Sequence, residues 1–203
     1  RQLADSRAKW LLVDRDYQEA ITYSFVDPDL LAPFDYGSGD VARLANPISA
    51  DLAVMRPSLL PGLLQALRQN ASRQQSRVRL FEIGARYFPA TTGVREEKTV
   101  AAVACGAADP EGWANESRSI DFFDLKGDVE ALLALGGGEA AFAPAEQPAM
   151  HPGQSAVVTR NGEIIGVLGA LHPAVCAALD LPDRVYAFEL RADAVLAARL
   201  PGF

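Results

Sequence analysis

The amino-acid sequence predicts an α+β fold in which an antiparallel sheet is flanked by helices. The segments Ser155 to Thr159 and Glu163 to Leu168 meet around Asn161-Gly162, a strong two-residue hairpin signal. Phe122, Leu125, Val129, Leu132 and Leu133 keep one face of a helix. Strands joined by hairpins and interrupted by helices favour a mainly antiparallel sheet over a doubly wound one.

Taken in order, Leu3 to Asp14 carries a helical stripe, with Trp10 beside it. Glu19 to Phe25 alternates, with Ile21, Tyr23 and Phe25 on one side and Ala20, Thr22 and Ser24 on the other, which predicts a half-buried strand ended by Asp27-Pro28. Residues 32–40 collect proline, glycine and aspartate and read as a surface loop. Ser58 is a candidate N-cap for a helix with Pro61 in its first turn and Leu59, Leu63, Ala66, Leu67 and Asn70 as its buried stripe. Val78 to Ile83 is a strand closed by Gly84, and Thr99 to Cys105 is a strand buried on both faces. Residues 107–120 are irregular and carry Trp113. The helix from Phe122 ends with Gly136 as a left-handed cap. A short helix from Ala174 to Leu179, a strand from Val185 to Leu190 and a helix from Ala192 to Arg199 finish the chain.

With 203 residues, 49% hydrophobic and 22% charged, the chain buries enough surface to need no disulfide or metal staple. Cys105 and Cys176 lie in apolar runs and read as small buried hydrophobes, which points to a reducing, cytoplasmic compartment. No stretch approaches a membrane span, and no signal peptide is visible. The chain opens on Arg1, as a segment of a longer chain does. A net charge of −7 argues against DNA or strong direct nucleic-acid binding. Arg68, Arg73, Arg77 and Arg79 are a local exception: they are a helix C-terminus running into a solvated strand edge, or a contact for phosphate or an acidic partner.

No catalytic, cofactor or metal residue emerges from spacing. Gly136-Gly137-Gly138 follows a helix, where a phosphate cradle follows a strand. His151 and His172 each precede a proline and read as turn residues. Glu82 differs, because it sits among apolar strand residues and a buried carboxylate needs a partner. Arg56, Arg79 and Arg86 are the candidates, and Glu82 with Arg56 is taken as the structural ion pair. Asp124 and Asp128 read as complements to a helix dipole.

Tyr17 to Phe25, Asn46-Pro47-Ile48-Ser49, Met55 to Leu64 and Arg79 to Gly84, followed by Asp121 to Glu130, His151-Pro152-Gly153 and Gly166 to Pro173, resemble the bacterial phenylalanyl-tRNA synthetase beta chain over nearly the whole length. The resemblance implies a class II aminoacyl-tRNA synthetase/biotin synthetase-like core, a single degenerate copy of an active-site domain spanning residues 1–203. It implies pairing with a catalytic alpha subunit in an alpha-2, beta-2 enzyme that uses ATP and magnesium to join phenylalanine to tRNA, with no cofactor in this domain. Class II sites hold ATP with motif-two residues and a glycine-rich strand ending in arginine. Here Val185 to Arg191 has no glycine, and Phe188 and Glu189 obstruct that approach; the resemblance offers Arg191 as the matching arginine and Glu82 as the matching acid, but neither is carried over as a site residue. The first class II motif, a helix followed by a strand, builds the subunit interface. By that resemblance Trp10, Leu11, Leu12, Tyr23 and Phe25 are the interface residues. The alternative is a free-standing class II-like enzyme or a paralogue that binds an amino acid or nucleotide.

Overall fold

The computed structural model describes residues 2–36, 40–44, 46, 47, 49, 52–113, 115 and 118–196, with side chains from Asp5 onward. In chain order the elements are α1 (Gln2–Asp14), β1 (Gln18–Glu19), β2 (Phe25–Val26), a 3₁₀ helix (Pro28–Phe34), β3 (Val54–Met55) and α2 (Leu60–Ser72). They continue as β4 (Val78–Pro89), β5 (Val94–Cys105), α3 (Phe122–Ala134), β6 (Ala140–Pro144), β7 (Met150–Arg160), β8 (Glu163–Leu171), α4 (Pro173–Ala178), β9 (Val185–Arg191) and α5 (Ala192–Val195).

Seven strands form one sheet in the order β1-β4-β5-β9-β8-β7-β6. Only the β1–β4 pairing is parallel; the others are antiparallel. The strand period of two sends alternate residues to opposite layers. Phe81, Val100, Ala102, Phe188 and Leu190 face α1, α3 and α5 with Leu12, Leu125, Val129 and Leu132. Leu80, Ala101, Val103 and Ala187 face α2 and α4 with Leu59, Leu63, Leu67 and Cys176. Because helices cover both faces, the central strands carry apolar residues at consecutive positions, as Val100 to Cys105 does.

Several elements differ from the sequence expectations. The strand expected over Glu19 to Phe25 is two short strands, β1 and β2, separated by residues 20–24, whose Ile21 and Tyr23 are exposed. A 3₁₀ helix occupies Pro28–Phe34, where Asp27 caps by accepting from the Asp29 amide. β4 runs through Gly84 to Pro89 because its hairpin partner β5 is equally long and stays in register throughout. Leu135, in right-handed helical conformation, caps α3, and the left-handed glycine there is Gly138 rather than Gly136. Asn161 and Gly162 have positive φ, as a tight hairpin between β7 and β8 requires. In α2 the buried stripe is Leu60, Leu63, Leu64 and Leu67, while Ala66 and Asn70 are half-buried. The helix expected from Ala192 to Arg199 is described only as far as Val195, and positions 197–199 lie outside the described residues, as do Ile48 and residues 37–39. Among the described residues no helix is long and apolar enough to cross a membrane.

Candidate functional site: a filled ionic floor and an exposed N-terminal surface

The sheet face beneath α2 carries two carboxylates in one lateral row: Glu82 on β4 lies across from Ala101 on β5, which lies across from Glu189 on β9. Both are buried. Arg56 Nη1 donates to Glu82 Oε1 at 2.8 Å, and the Thr22 hydroxyl donates to Glu82 Oε2 at 2.7 Å. Arg56 also donates from Nη1 to the Thr22 hydroxyl oxygen and from Nε to the Ala85 carbonyl, each at 2.8 Å. Gly84 makes room for this pair. A Cβ there would stand 2.6 Å from Arg56 Nη2 and 2.9 Å from Glu82 Oε1.

Glu189 accepts from the Leu59 amide at 2.7 Å, from the Ser58 hydroxyl at 3.0 Å and from Arg86 Nη1 at 3.0 Å. The Ser58 oxygen in turn accepts from the Leu60 amide, so it joins the carboxylate to the first turn of α2. Burial raises the Glu189 pKa, and the Arg86 charge, the Leu59 amide and the Ser58 hydroxyl work against that rise. Burial also works against the Arg86 cation, but the Glu189 charge and Glu97, which accepts from Arg86 Nε at 2.8 Å, outweigh it and leave its pKa raised. The N-terminus of α2 is electrically suited to an anion, and the group seated there is the protein's own carboxyl. Phe188 takes no part, because alternation turns it into the core beneath α3; of the two bulky β9 residues, Glu189 alone faces this floor. Arg191 is partly exposed and bonded to Asp193, 3.0 Å from Nη2 to Oδ2.

The opposite face holds a cluster centred on Asp128, which the sequence pattern places as a helix-dipole acid. Its side chain is instead buried: Oδ1 accepts from Arg15 Nη1 at 2.7 Å, and Oδ2 accepts from the Tyr17 hydroxyl at 2.8 Å and from Arg79 Nη1 at 3.4 Å. Burial, then the Asp128 charge, pushes the Tyr17 pKa well above its ordinary value. Arg79 also lies over the Tyr17 ring and donates to the Ala108 carbonyl. Arg77 meets Asp16 at 3.1 Å. Two of the four clustered arginines are thus spent on internal acceptors. Position gave a signal for Asp128, since it follows Leu125 by three residues and precedes Leu132 by four, on the buried stripe.

The residues expected at a subunit interface divide. Trp10 and Tyr23 are 68% and 78% exposed, while Leu11 and Phe25 are half-buried. Leu12 is fully buried, which corrects its assignment: it packs with Ala8 into the core beneath α1 and has no surface to offer a partner. Tyr23 and Phe25 join Ile21 along one wall of a groove of about 660 Å³, whose other wall is α2 through Gly62, Ala66 and Arg68; Trp10 and Leu11 lie outside that lining. His151 and His172 each accept a backbone amide two residues on, at Nδ1, as turn residues do. Cys105 and Cys176 are free and buried, and burial raises both thiol pKa values. Among the described residues no three His, Cys, Asp or Glu side chains are grouped to hold a metal ion.

Residues 1–192 match the family described as "Phenylalanyl tRNA synthetase beta chain CLM domain". The phenylalanine--tRNA ligase beta subunit of Pseudomonas fluorescens Pf-5 is 51% identical over 195 residues, 95% of this chain and 24% of that protein. The same subunit of Nitrosococcus oceani is 50% identical over 200 residues, 97% of this chain and 25% of that one. This chain therefore spans about a quarter of the length of these curated relatives. Among solved structures, a pyrrolysyl tRNA synthetase, PylSc of Desulfitobacterium hafniense, superposes with a TM-score of 0.72 at 13% identity, covering 96% of this chain and 65% of that one. That likeness gives the fold, a class II synthetase core.

Proposed function

The chain belongs to the phenylalanyl-tRNA synthetase beta chain family, as its CLM domain, and from that premise we propose that it is a non-catalytic module which supports phenylalanine attachment to tRNA by pairing with a catalytic alpha subunit. In this reading ATP, magnesium and tRNA are used by the whole alpha-2, beta-2 enzyme in the cytoplasm, and residues 1–203 are one module of a longer beta chain. The observation that carries it is the filled floor. Glu189 occupies the α2 N-terminus with three hydrogen-bond donors of its own, where a nucleotide phosphate or substrate carboxylate would need those donors free. The surface assigned to the partner is the groove wall of Tyr23 and Phe25 with Ile21, which is 90% exposed, together with Trp10 and Leu11 on α1, outside that groove. Isolated exposed apolar residues are ordinary, but Ile21, Tyr23 and Phe25 line one groove together.

The test is capture of a tagged alpha subunit by full-length beta chain carrying Trp10→Asp and Tyr23→Asp. Both side chains are exposed, so the beta chain is expected to stay folded by circular dichroism while assembly is lost. Undiminished assembly contradicts the proposed surface.

A further inference from the structure

We propose that the buried Arg56–Glu82 pair acts, through Thr22, as a positioning device that fixes residues 20–24 and so presents Ile21 and Tyr23 outward. This rests on the interface reading above and adds residues to it that no partner could touch. Residues 20–24 belong to no strand, since β1 ends at Glu19 and β2 begins at Phe25. Their outward side chains, Ile21 and Tyr23, are among the most exposed apolar groups of the domain and contribute little packing of their own. What fixes the segment is its even-numbered residues. The Ala20 amide donates to the Phe81 carbonyl at 2.8 Å, and the Ser24 carbonyl accepts from the Arg56 amide at 3.0 Å. Between them Thr22 is held by both members of the ion pair, accepting from Arg56 and donating to Glu82.

Arg56 is the hub of this arrangement. Its amide reaches Ser24, its guanidinium reaches Glu82, Thr22 and Ala85, and its carbonyl accepts from the Tyr87 amide, so one residue ties the segment to β4 at several points. Two glycines let the parts close. Gly84 clears the guanidinium, and at Gly62 on α2 a Cβ would lie 2.5 Å from Thr22 Oγ1. A buried ion pair is poor value as a stabiliser, because an apolar replacement of equal volume is often neutral or better. Fixing one conformation of a segment is what the directional hydrogen bonds of such a pair do well, and a preordered binding segment loses less entropy on docking.

The variant that isolates the device is Thr22→Val, which keeps shape and both buried charges but removes the two hydroxyl contacts. In full-length beta chain, hydrogen exchange at the Ala20 and Arg56 amides, which bond to the Phe81 and Ser24 carbonyls, is expected to accelerate while the rest of β4 and β5 stays protected, and affinity for the alpha subunit to fall roughly tenfold. In an Ile21→Ala, Tyr23→Ala background the same change is expected to cost less than about twofold, because it acts through the residues already removed. Unchanged exchange at the Ala20 and Arg56 amides overturns the inference, as does an equal loss in both backgrounds. If Tyr23→Ala weakens assembly and Thr22→Val does not, the device fails and the interface reading stands. If neither Ile21→Ala nor Tyr23→Ala affects assembly, both fall.

Discussion

Glu82 and Asp128 are buried carboxylates on opposite faces of the same sheet, and they are enclosed to different degrees. Glu82 meets Arg56 with each side chain 5% exposed, while Asp128 divides its oxygens among Tyr17, Arg79 at 8% and Arg15 at 41%. Remove the acid from the first site and the stranded cation has nowhere to go. At the second, Arg15 can turn to water, and Arg79 keeps the Ala108 carbonyl and the Tyr17 ring. The two sites also serve different neighbours. The enclosed one fixes the segment that carries Ile21 and Tyr23; the open one ties the end of α1 to α3 and β4.

This difference ranks the expected effects. Glu82→Ala should lower the unfolding free energy by about 3 kcal/mol or more, read by urea denaturation of the 203-residue chain, because an uncompensated buried charge remains. A neutral result removes the distinction. Asp128→Ala should cost less, about 1.5–3 kcal/mol, the range for hydrogen bonds to a charged group, since Arg15 escapes to solvent and Arg79 keeps the Ala108 carbonyl. A loss equal to that of Glu82→Ala would show that enclosure is not what separates the sites.

The smallest effect is at the rim of the second site. The hydrogen bonds from Arg118, 2.6 Å from each Asp124 oxygen, hold the Asp124 pKa below its ordinary 3.8, with burial opposing and the Asp121 amide assisting. A lowered folded value means stability that is present above the ordinary aspartate value and is lost as pH falls through the folded one. Arg118→Ala should therefore shrink the stability difference between about pH 3 and pH 6, with little change in the fold. Glu189 has the opposite sign: its raised value makes ionisation cost stability as pH rises above the ordinary 4.5 toward the folded value.

Much of the fold is legible because period and punctuation are strong where the core is. The hairpin at Asn161-Gly162, the apolar run Val100 to Cys105 and the stripe of α3 each declare their element. The failures have local physical causes. Alternation over residues 19–25 mimics a strand, yet no neighbouring strand extends its ladder there, and polar contacts from Thr22 take over. β6, with Ala140-Ala141-Phe142-Ala143-Pro144, is an edge strand of small residues and carries almost no pattern of its own. Gly84 looks like a strand end when only its lack of a side chain is seen; the reason for the glycine, a guanidinium passing overhead, comes from residues 28 positions away in sequence. A charged Glu82 among apolar strand residues signals a pairing, and strand parity already separates Arg79, which points to the opposite face. Choosing between Arg56 and Arg86 needs the tertiary path, since Arg86 shares the parity of Glu82 but is taken by Glu189 and Glu97.

The central claim, that the floor beneath α2 is structural and not a site of chemistry, is tested most directly at Arg191. It sits at the end of β9, the place that the family resemblance offers for a class II arginine, and its guanidinium is partly exposed and bonded to Asp193. Phenylalanine-dependent pyrophosphate exchange should be measured on the assembled enzyme with Arg191→Ala in the beta chain. The account expects a rate within about twofold of the parent, whereas loss of a group that stabilises a transition state costs about a hundredfold or more, and a fall of that size with assembly intact would contradict it.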